Sequence, residues 1–440
     1  MFVPTAVLTL VLAASAAAGA EAPTPEAEMP DFYAEEPALH DYAAEALRAN
    51  PSVQEALARY RAVLEKAPQV TSLPDPKLGF TQAIRSVETR VGPQRNALML
   101  TQAFPWFGKL DLRGQVVLQE AAARRQLYLA RQREVLSQVK THFYALGYID
   151  TALRITQEEQ SVLSHYERLA QTRYASGQGL QQAVIKIQAE ITKVMNRLYI
   201  LQQRRVSVAA RLNTLMDRPP HAPLPAVEPL SLPEVSLDLP ALYELGEQNR
   251  QELKAAEALV KKSERSIELA RKDFWPNLSV SAGLVNIGGR GDPAGLMQPP
   301  PDDGKNAFNL SLGLSIPLWR GKYRAGVREA TLQMSAQRMA HARVRNEMEF
   351  AIQDQTIRLE TLREQVDLFE SVLIPQAEET LSSTEAAYQT GQLGVLDLLD
   401  SERVLLSVRL TNAQYHSDFL SALAKLERAL GTRFPEVRQP

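Results

Sequence analysis

The sequence predicts a mainly α-helical protein with a small β part, built as two tandem copies of one unit: helix, strand, strand, long helix, turn, helix. Three observations carry this. A strand-to-helix switch is written twice, first over Ala97 to Lys109 and again over Asn309 to Lys322, where residues alternating with a period of two stop at Pro105 or Pro317 and give way to a period near 3.6. Each switch leads into a proline-poor helical stretch; the first, 109–174, would measure roughly 100 Å at 1.5 Å per residue. The helix that returns over 180–216 carries Val184, Ile187, Ile191, Val194, Leu198, Leu201, Arg205, Val208, Leu212 and Leu215, spaced three and four apart, as in an antiparallel coiled-coil seam.

Residues 1–20 have the features of a secretory signal peptide, with an apolar run at 7–18 and small residues at Ala18 and Ala20; a buried N-terminal helix is the alternative. A Pro/acidic segment, 21–37, follows. The first repeat spans 38–216: a helical stretch broken at Asn50-Pro51, strands at 77–84 and 97–104 joined as a hairpin through Arg85, Glu88, Arg90, Gly92 and Pro93, then the two helices. Seven prolines between 217 and 240 mark an extended linker. The second repeat, 241–430, has a helix to Lys272, strands at 277–284 and 308–316, a long helix over 322–388 kinked at Pro375, and a last helix over 395–430; residues 431–440 form a tail.

The duplication has a fixed offset. Tyr174, Gly177 and Gln178 recur 214 residues later as Tyr388, Gly391 and Gln392, and the same offset carries the first seam onto Leu398, Ser401, Leu405, Val408, Asn412, Tyr415, Phe419, Ala422, Leu426 and Ala429. Most of these are apolar.

Composition excludes much. With 45% hydrophobic residues, 23% charged residues and a formal net charge of -2, the chain is neither disordered nor equipped for nucleic acid. It has no cysteine, so disulfides, thiolate metal sites, cysteine nucleophiles and a lipidated N-terminal cysteine are all excluded. Past residue 20 no apolar run reaches the roughly 18 to 20 residues of a membrane-crossing helix. Entry into a bilayer would therefore require a closed β-barrel. Each expected strand has one apolar face and one small or polar face, which suits a barrel between lipid and water as well as a soluble sandwich. Trp106, Phe107 and Trp319 lie just past strand ends, where either an interfacial belt or ordinary corner packing would place them. Four strands enclose no usable lumen, so several chains would have to share one barrel.

With its paired repeats, its Pro105-Trp106-Phe107-Gly108-Lys109 and Pro317-Leu318-Trp319-Arg320-Gly321-Lys322 strand exits and its two glycine turns, the chain resembles the TolC family of outer-membrane efflux proteins. That resemblance implies a homotrimer in which each chain gives four strands to a twelve-stranded outer-membrane β-barrel, continued by a periplasmic α-barrel of long antiparallel helices. It further implies passive export of small solutes or metal ions, and docking to a periplasmic adaptor (membrane fusion) protein and an inner-membrane pump of the RND type. The short length and the Leu73-Pro74-Asp75-Pro76 entry to the first strand resemble the heavy-metal efflux branch.

On the same resemblance, Asp397 and Asp400 match the family's periplasmic gate, and the turns holding Tyr174, Gly177, Gln178, Tyr388, Gly391, Gln392 and Leu393 become adaptor-docking tips. Three-fold symmetry would gather six carboxylates about one axis, a ring that repels itself and attracts cations. Acids in a first helical turn also simply favour the helix dipole. In the first repeat the equivalents are Ala183 and Lys186, the latter either paired across the seam or solvated. Glycine at a helix reversal caps the helix whatever surrounds it. The six histidines show no ligand spacing, Arg290-Gly291-Asp292 sits in a loop whose composition produces such tripeptides by chance, and no catalytic motif, cofactor site or metal site is expected. The rival readings are an enzyme, which lacks any motif, and a periplasmic coiled-coil adaptor or scaffold without a channel, which leaves four alternating strands unexplained.

Overall fold

A computed structural model describes residues 37–229 and 231–434. The expected signal peptide, most of the 21–37 segment and most of the tail lie outside these. Three helices open the described chain: α1 (Pro37–Ala49), α2 (Pro51–Leu64) and α3 (Lys66–Thr71). Asn50 makes the first break, with Pro51 at the first helical position, where its missing N–H goes unneeded. The Asn50 side chain accepts from the Ser52 N–H at 3.0 Å and donates to the Leu215 carbonyl at 2.8 Å, so it starts one helix and tethers it to another.

Strands β1 (Lys77–Thr89) and β2 (Gly92–Phe104) form the first hairpin; β3 (Asn277–Ile287) and β4 (Ala307–Ser315) form the second, with the short α8 (Pro293–Met297) between them. All four pair antiparallel in the order β1-β2-β3-β4, so the two repeats meet at β2 and β3. The first hairpin is longer than the residues suggest. Arg85 and Glu88, expected in a loop, lie within β1, because backbone pairing resumes after an irregularity between Gln82 and Val87 and continues to Thr89 opposite Gly92.

The register aligns the faces across the whole sheet. One row runs Leu78, Leu100, Ala282, Leu310; the next runs Phe80, Leu98, Leu284, Phe308. Rows such as Lys77, Thr101, Ser281, Ser311 lie on the opposite face, where the Thr101 and Ser281 hydroxyls hydrogen-bond at 2.9 Å. Nothing in the described chain covers the apolar face: Leu78, Phe80, Phe308, Leu310 and Leu312 are all more than 60% exposed.

Helix α4 (Lys109–Ala175) leaves the sheet as a single 67-residue element, about 100 Å long, and α5 (Gln181–Leu215) returns along it. The α5 seam is used as spaced: Ile187, Val194, Leu201 and Leu212 are buried, and the odd member, Arg205, reaches Asp150 of α4 at 2.5 Å and the linker carbonyls of Leu224 and Pro225. After the linker come α6 (Leu239–Asn249) and α7 (Gln251–Lys272), where the sequence suggests one helix; Arg250 breaks them apart in an extended conformation.

The second long helix is also subdivided, into α9 (Arg320–Leu368), a π-helical turn (Phe369–Leu373) and α10 (Ile374–Thr390), followed by α11 (Val395–Leu430). Pro375 cannot donate a backbone hydrogen bond, and the wider π-turn directly before it absorbs the loss without ending the helix. One large core joins Tyr42, Phe143, Leu146, Leu212, Met348, Ile352, Phe419 and Leu426, drawn from both repeats. A second, smaller cluster lies toward the far end of α4.

Asn50 is 6% exposed, so Asn50→Ala removes a cap and strands a buried carbonyl. We expect a loss of about 2 kcal/mol, read as earlier loss of helical circular dichroism on heating, with Asn50→Ser losing less because its hydroxyl keeps the cap.

Candidate functional site

The two glycine turns close the helical region at the end of α4 remote from the sheet. Both are built alike: Gly177 and Gly391 adopt φ of 72° and 80°, Gln178 N–H reaches the Arg173 carbonyl at 2.9 Å, and Gln392 N–H reaches the Ala387 carbonyl at 2.9 Å. These bonds satisfy the last carbonyls of α4 and α10 in the same pattern, 214 residues apart. Around that shared frame the side chains differ. Tyr174 is 49% exposed, whereas Tyr388, grouped with it as a docking residue, is 5% exposed and packs among Leu163, Tyr166, Ile187 and Leu398. Its ring therefore belongs to the core. Gln178, Gln392 and Leu393 remain at the surface.

One residue ties the turns together. Arg173 donates from Nη1 to the Tyr388 carbonyl and lays its guanidinium over the Tyr388 ring, 5.1 Å from the centroid. Its counterpart 214 residues on is Ala387, so the link runs one way only.

Helix α11 begins at Gly394. Asp397 accepts the Gly394 N–H on Oδ2 at 3.1 Å, so it caps its own helix. Asp400 receives Arg403 Nη1 at 3.0 Å, and the same guanidinium grips Glu190 of α5. Both aspartates are exposed beside the buried Leu398 and Leu399. The Thr384 and Ser401 hydroxyls, 3.1 Å apart, link α10 to α11. Burial pushes the Glu190 carboxyl up, but hydrogen bonds from Arg403 and Lys193 outweigh it and hold the group below its ordinary 4.5. Lys186 makes no ion pair within the described residues. Arg173, Glu190 and Arg403 had no signal in the repeat arithmetic, because their partners sit about 213 to 215 residues away without occupying equivalent positions.

At the opposite end, Trp106 stacks on Trp275 at 5.3 Å, while Phe107 and Trp319 are each 79% exposed. Trp275, one proline before β3, is a further aromatic of this set; its position mirrors the strand exits. Beneath the stack Lys109, 3% exposed, donates to the Trp275 carbonyl and to Asn277 Oδ1, and meets Asp273 at 3.4 Å. In the exposed loop Arg290 and Asp292 bond to each other through both guanidinium arms. Among the described residues no three His, Asp or Glu side chains converge as a metal-ligand set, and no helix is long and apolar enough to cross a membrane.

Comparison with known proteins places this geometry. The family model described as Outer membrane efflux protein matches residues 242–432. The pyoverdine export outer membrane protein OpmQ of Pseudomonas aeruginosa is 24% identical over 311 residues, 69% of this chain and 63% of its own length. Among solved structures, CusC superposes with a TM-score of 0.74 at 17% identity over 91% of this chain and 93% of its own. VceC from Vibrio cholerae, described as an outer membrane protein, gives 0.73 at 19% identity over 90% and 97%. The open-state MtrE outer membrane channel of Neisseria gonorrhoeae gives 0.70 at 21% over 92% and 91%. The fold of these channels thus runs through the whole described chain, both repeats included.

The Glu190 pair has a definite pH sign. A carboxyl held below its unfolded value contributes stability that is complete above about 4.5 and is lost as pH falls through the lower folded value. Amide protection in the two turns, taken relative to the intrinsic exchange rate at each pH, is expected to fall on acidification below that range, and Arg403→Gln is expected to reproduce the loss at neutral pH, roughly tenfold for a lost charged hydrogen bond.

Proposed function

We propose that the chain, whose residues 242–432 match the model described as Outer membrane efflux protein, is one third of an outer-membrane exit duct extending into the periplasm. Three copies would supply twelve strands to one barrel, with the long helices continuing it as a periplasmic tunnel. Solutes would pass without chemistry on the duct's part, delivered by an inner-membrane pump through a periplasmic adaptor.

The observation that carries this reading is the sheet. It has four strands, apolar side chains exposed along a whole face, and outer edges on β1 and β4 that no other strand pairs among the described residues. Open edges and bare apolar faces are tolerated in lipid only when a barrel closes. The small and polar face, with Thr101, Ser281 and Ser311, then lines water. Trp106, Phe107, Trp275 and Trp319 would sit at the periplasmic interface of the bilayer. A soluble scaffold leaves the same face unexplained.

At the other end we assign the gate to Asp397 and Asp400. Their exposure on the same short stretch of α11 supports a ring of six carboxylates on a three-fold axis, and Arg403 and Arg173 would hold the ring's helices against the first-repeat coil. Tyr174, Gln178, Gln392 and Leu393, exposed at the turns, are the surface offered to the adaptor, with Gly177 and Gly391 shaping it and Tyr388 supporting it from beneath.

Because Asp397 also caps α11, the informative substitutions are Asp397→Asn with Asp400→Asn, which remove charge while leaving a capping oxygen. In planar bilayers the double variant is expected to raise single-channel conductance and weaken block by multivalent cations. Unchanged conductance and block would remove the gate assignment; a protein that washes off membranes with carbonate and yields no channel would remove the duct.

A further inference from the structure

Between α4, α10 and α11, above the turns, lies a groove of about 470 Å³ whose walls include Ile155, Val162, Tyr166, Leu381, Leu405 and Leu406. Four carboxylates share it: Glu158, Glu159, Glu385 and Glu402. Two are compensated. Glu158 meets Arg154 at 3.1 Å and Glu159 meets Arg197 at 3.4 Å. The groove's own arginine, Arg409, is engaged by Glu378 at 2.6 Å. Glu385 and Glu402 have no ion pair among the described residues. Glu402 is the sharper case: it is 6% exposed, and its Oε2 has no hydrogen-bond partner. An uncompensated buried carboxylate costs several kcal/mol unless something neutralises it.

We propose that this groove binds an organic cation, an amine or quaternary ammonium carrying an apolar body, with Glu402 and Glu385 taking the charge and the leucine side chains taking the body. Volume and lining suit a small ligand, with a few polar groups set in a mainly apolar wall. A metal ion is the poorer fit, since the carboxylates do not converge as a ligand set. Tyr166, 2% exposed, adds an aromatic wall for an ammonium group.

Protonation supports the same site. Burial pushes the Glu159 carboxyl up to about 7, with Arg197 opposing and Glu402 and Glu190 adding to the rise. Burial also raises Glu402, with Arg409 opposing and Glu385 adding. His165 completes the titratable groups on the groove wall. Both shifts work against a bare carboxylate in the groove, and an entering cation would relieve them. This site does not depend on the duct reading, because it is formed within one chain and its test needs no conductance.

The test uses the full protein in zwitterionic detergent, which a membrane duct and a soluble scaffold both tolerate, with protein-free micelles as blank. The probe is the fixed-charge dye N-methyl-4-[4-(dimethylamino)styryl]pyridinium, and 4-dimethylaminostilbene serves as its neutral isostere. Saturable dye binding at pH 7, read calorimetrically, is expected. Glu402→Gln should weaken it roughly tenfold, leaving the neutral isostere unaffected. Glu385→Gln, nearer the surface, should weaken binding without disturbing the packing. Equal dye affinity in both variants, no binding above blank, or equal sensitivity of the neutral isostere would overturn the proposal.

Discussion

The structure depends on a sheet that cannot satisfy itself. Hydrogen bonds in β1 to β4 run only inward, so the outer edges present unpaired backbone groups, and the rows through Leu78 and Phe80 present apolar side chains to whatever surrounds them. In water each such edge invites pairing with another chain, and each exposed apolar square ångström costs about 25 cal/mol. Lipid removes the second penalty and makes the first prohibitive unless the edges join in a ring. Four strands make too narrow a ring to enclose a channel. The four strands thus leave open edges that the described chain does not close, and the long helices follow from where those strands end.

The passage from sheet to helix is fixed at the corners. Lys109 is nearly inaccessible and bonded to the Trp275 carbonyl, Asn277 and Asp273, so the exit of the first repeat is locked onto the entry of the second. From that anchor α4 runs its full length without a break, and the α4 to α11 crossing is laced by Ser137 to the Ala424 carbonyl, Ser417 to the Tyr144 carbonyl, and Lys140 to Glu427. A helix held this way at its base and middle leaves freedom chiefly at its tip. That is where the polar links of Arg173, Thr384 and Arg403 are found, whereas the π-turn before Pro375 lies back at the level of the lacing, with Phe369 against Tyr415.

Much of this was legible in the chain. The alternation of Leu310, Leu312 and Leu314 with Ser311 and Gly313 predicts a two-faced strand, and the three-four spacing of Ile187, Ile191 and Val194 predicts the seam, because both periods record which side of a backbone is buried. Boundaries were less legible. Arg85 and Glu88 read as loop because charge suggests solvent, yet an edge strand can carry charge without losing its ladder. The break at Arg250 has no glycine or proline to announce it. At the tip, the glycine caps follow from sequence, whereas the burial of Tyr388 does not: Tyr174 and Tyr388 occupy equal places in the repeat and opposite environments in space. The Glu190 to Arg403 pair was invisible for the same reason, since it joins helices that periodicity treats separately.

That difference between equal places is itself informative. The two repeats keep the same two-faced strand pattern, and the register carries those faces across the whole sheet. They keep their glycine turns because a helix reversal has few solutions. They part at Arg173 against Ala387, Asp397 against Ala183, and Asp400 against Lys186, all within a few turns of the tip. In an assembly around one axis, two coils from the same chain cannot both occupy the same position relative to that axis, and only near a constriction does the distinction change which residues meet. The seams differ elsewhere too, Leu198 against Asn412 and Arg205 against Phe419, but at the tip the differences change which charges are present. The unequal bonds there, one arginine from each repeat reaching across to the other, make the two coils move relative to each other only when those bonds are given up.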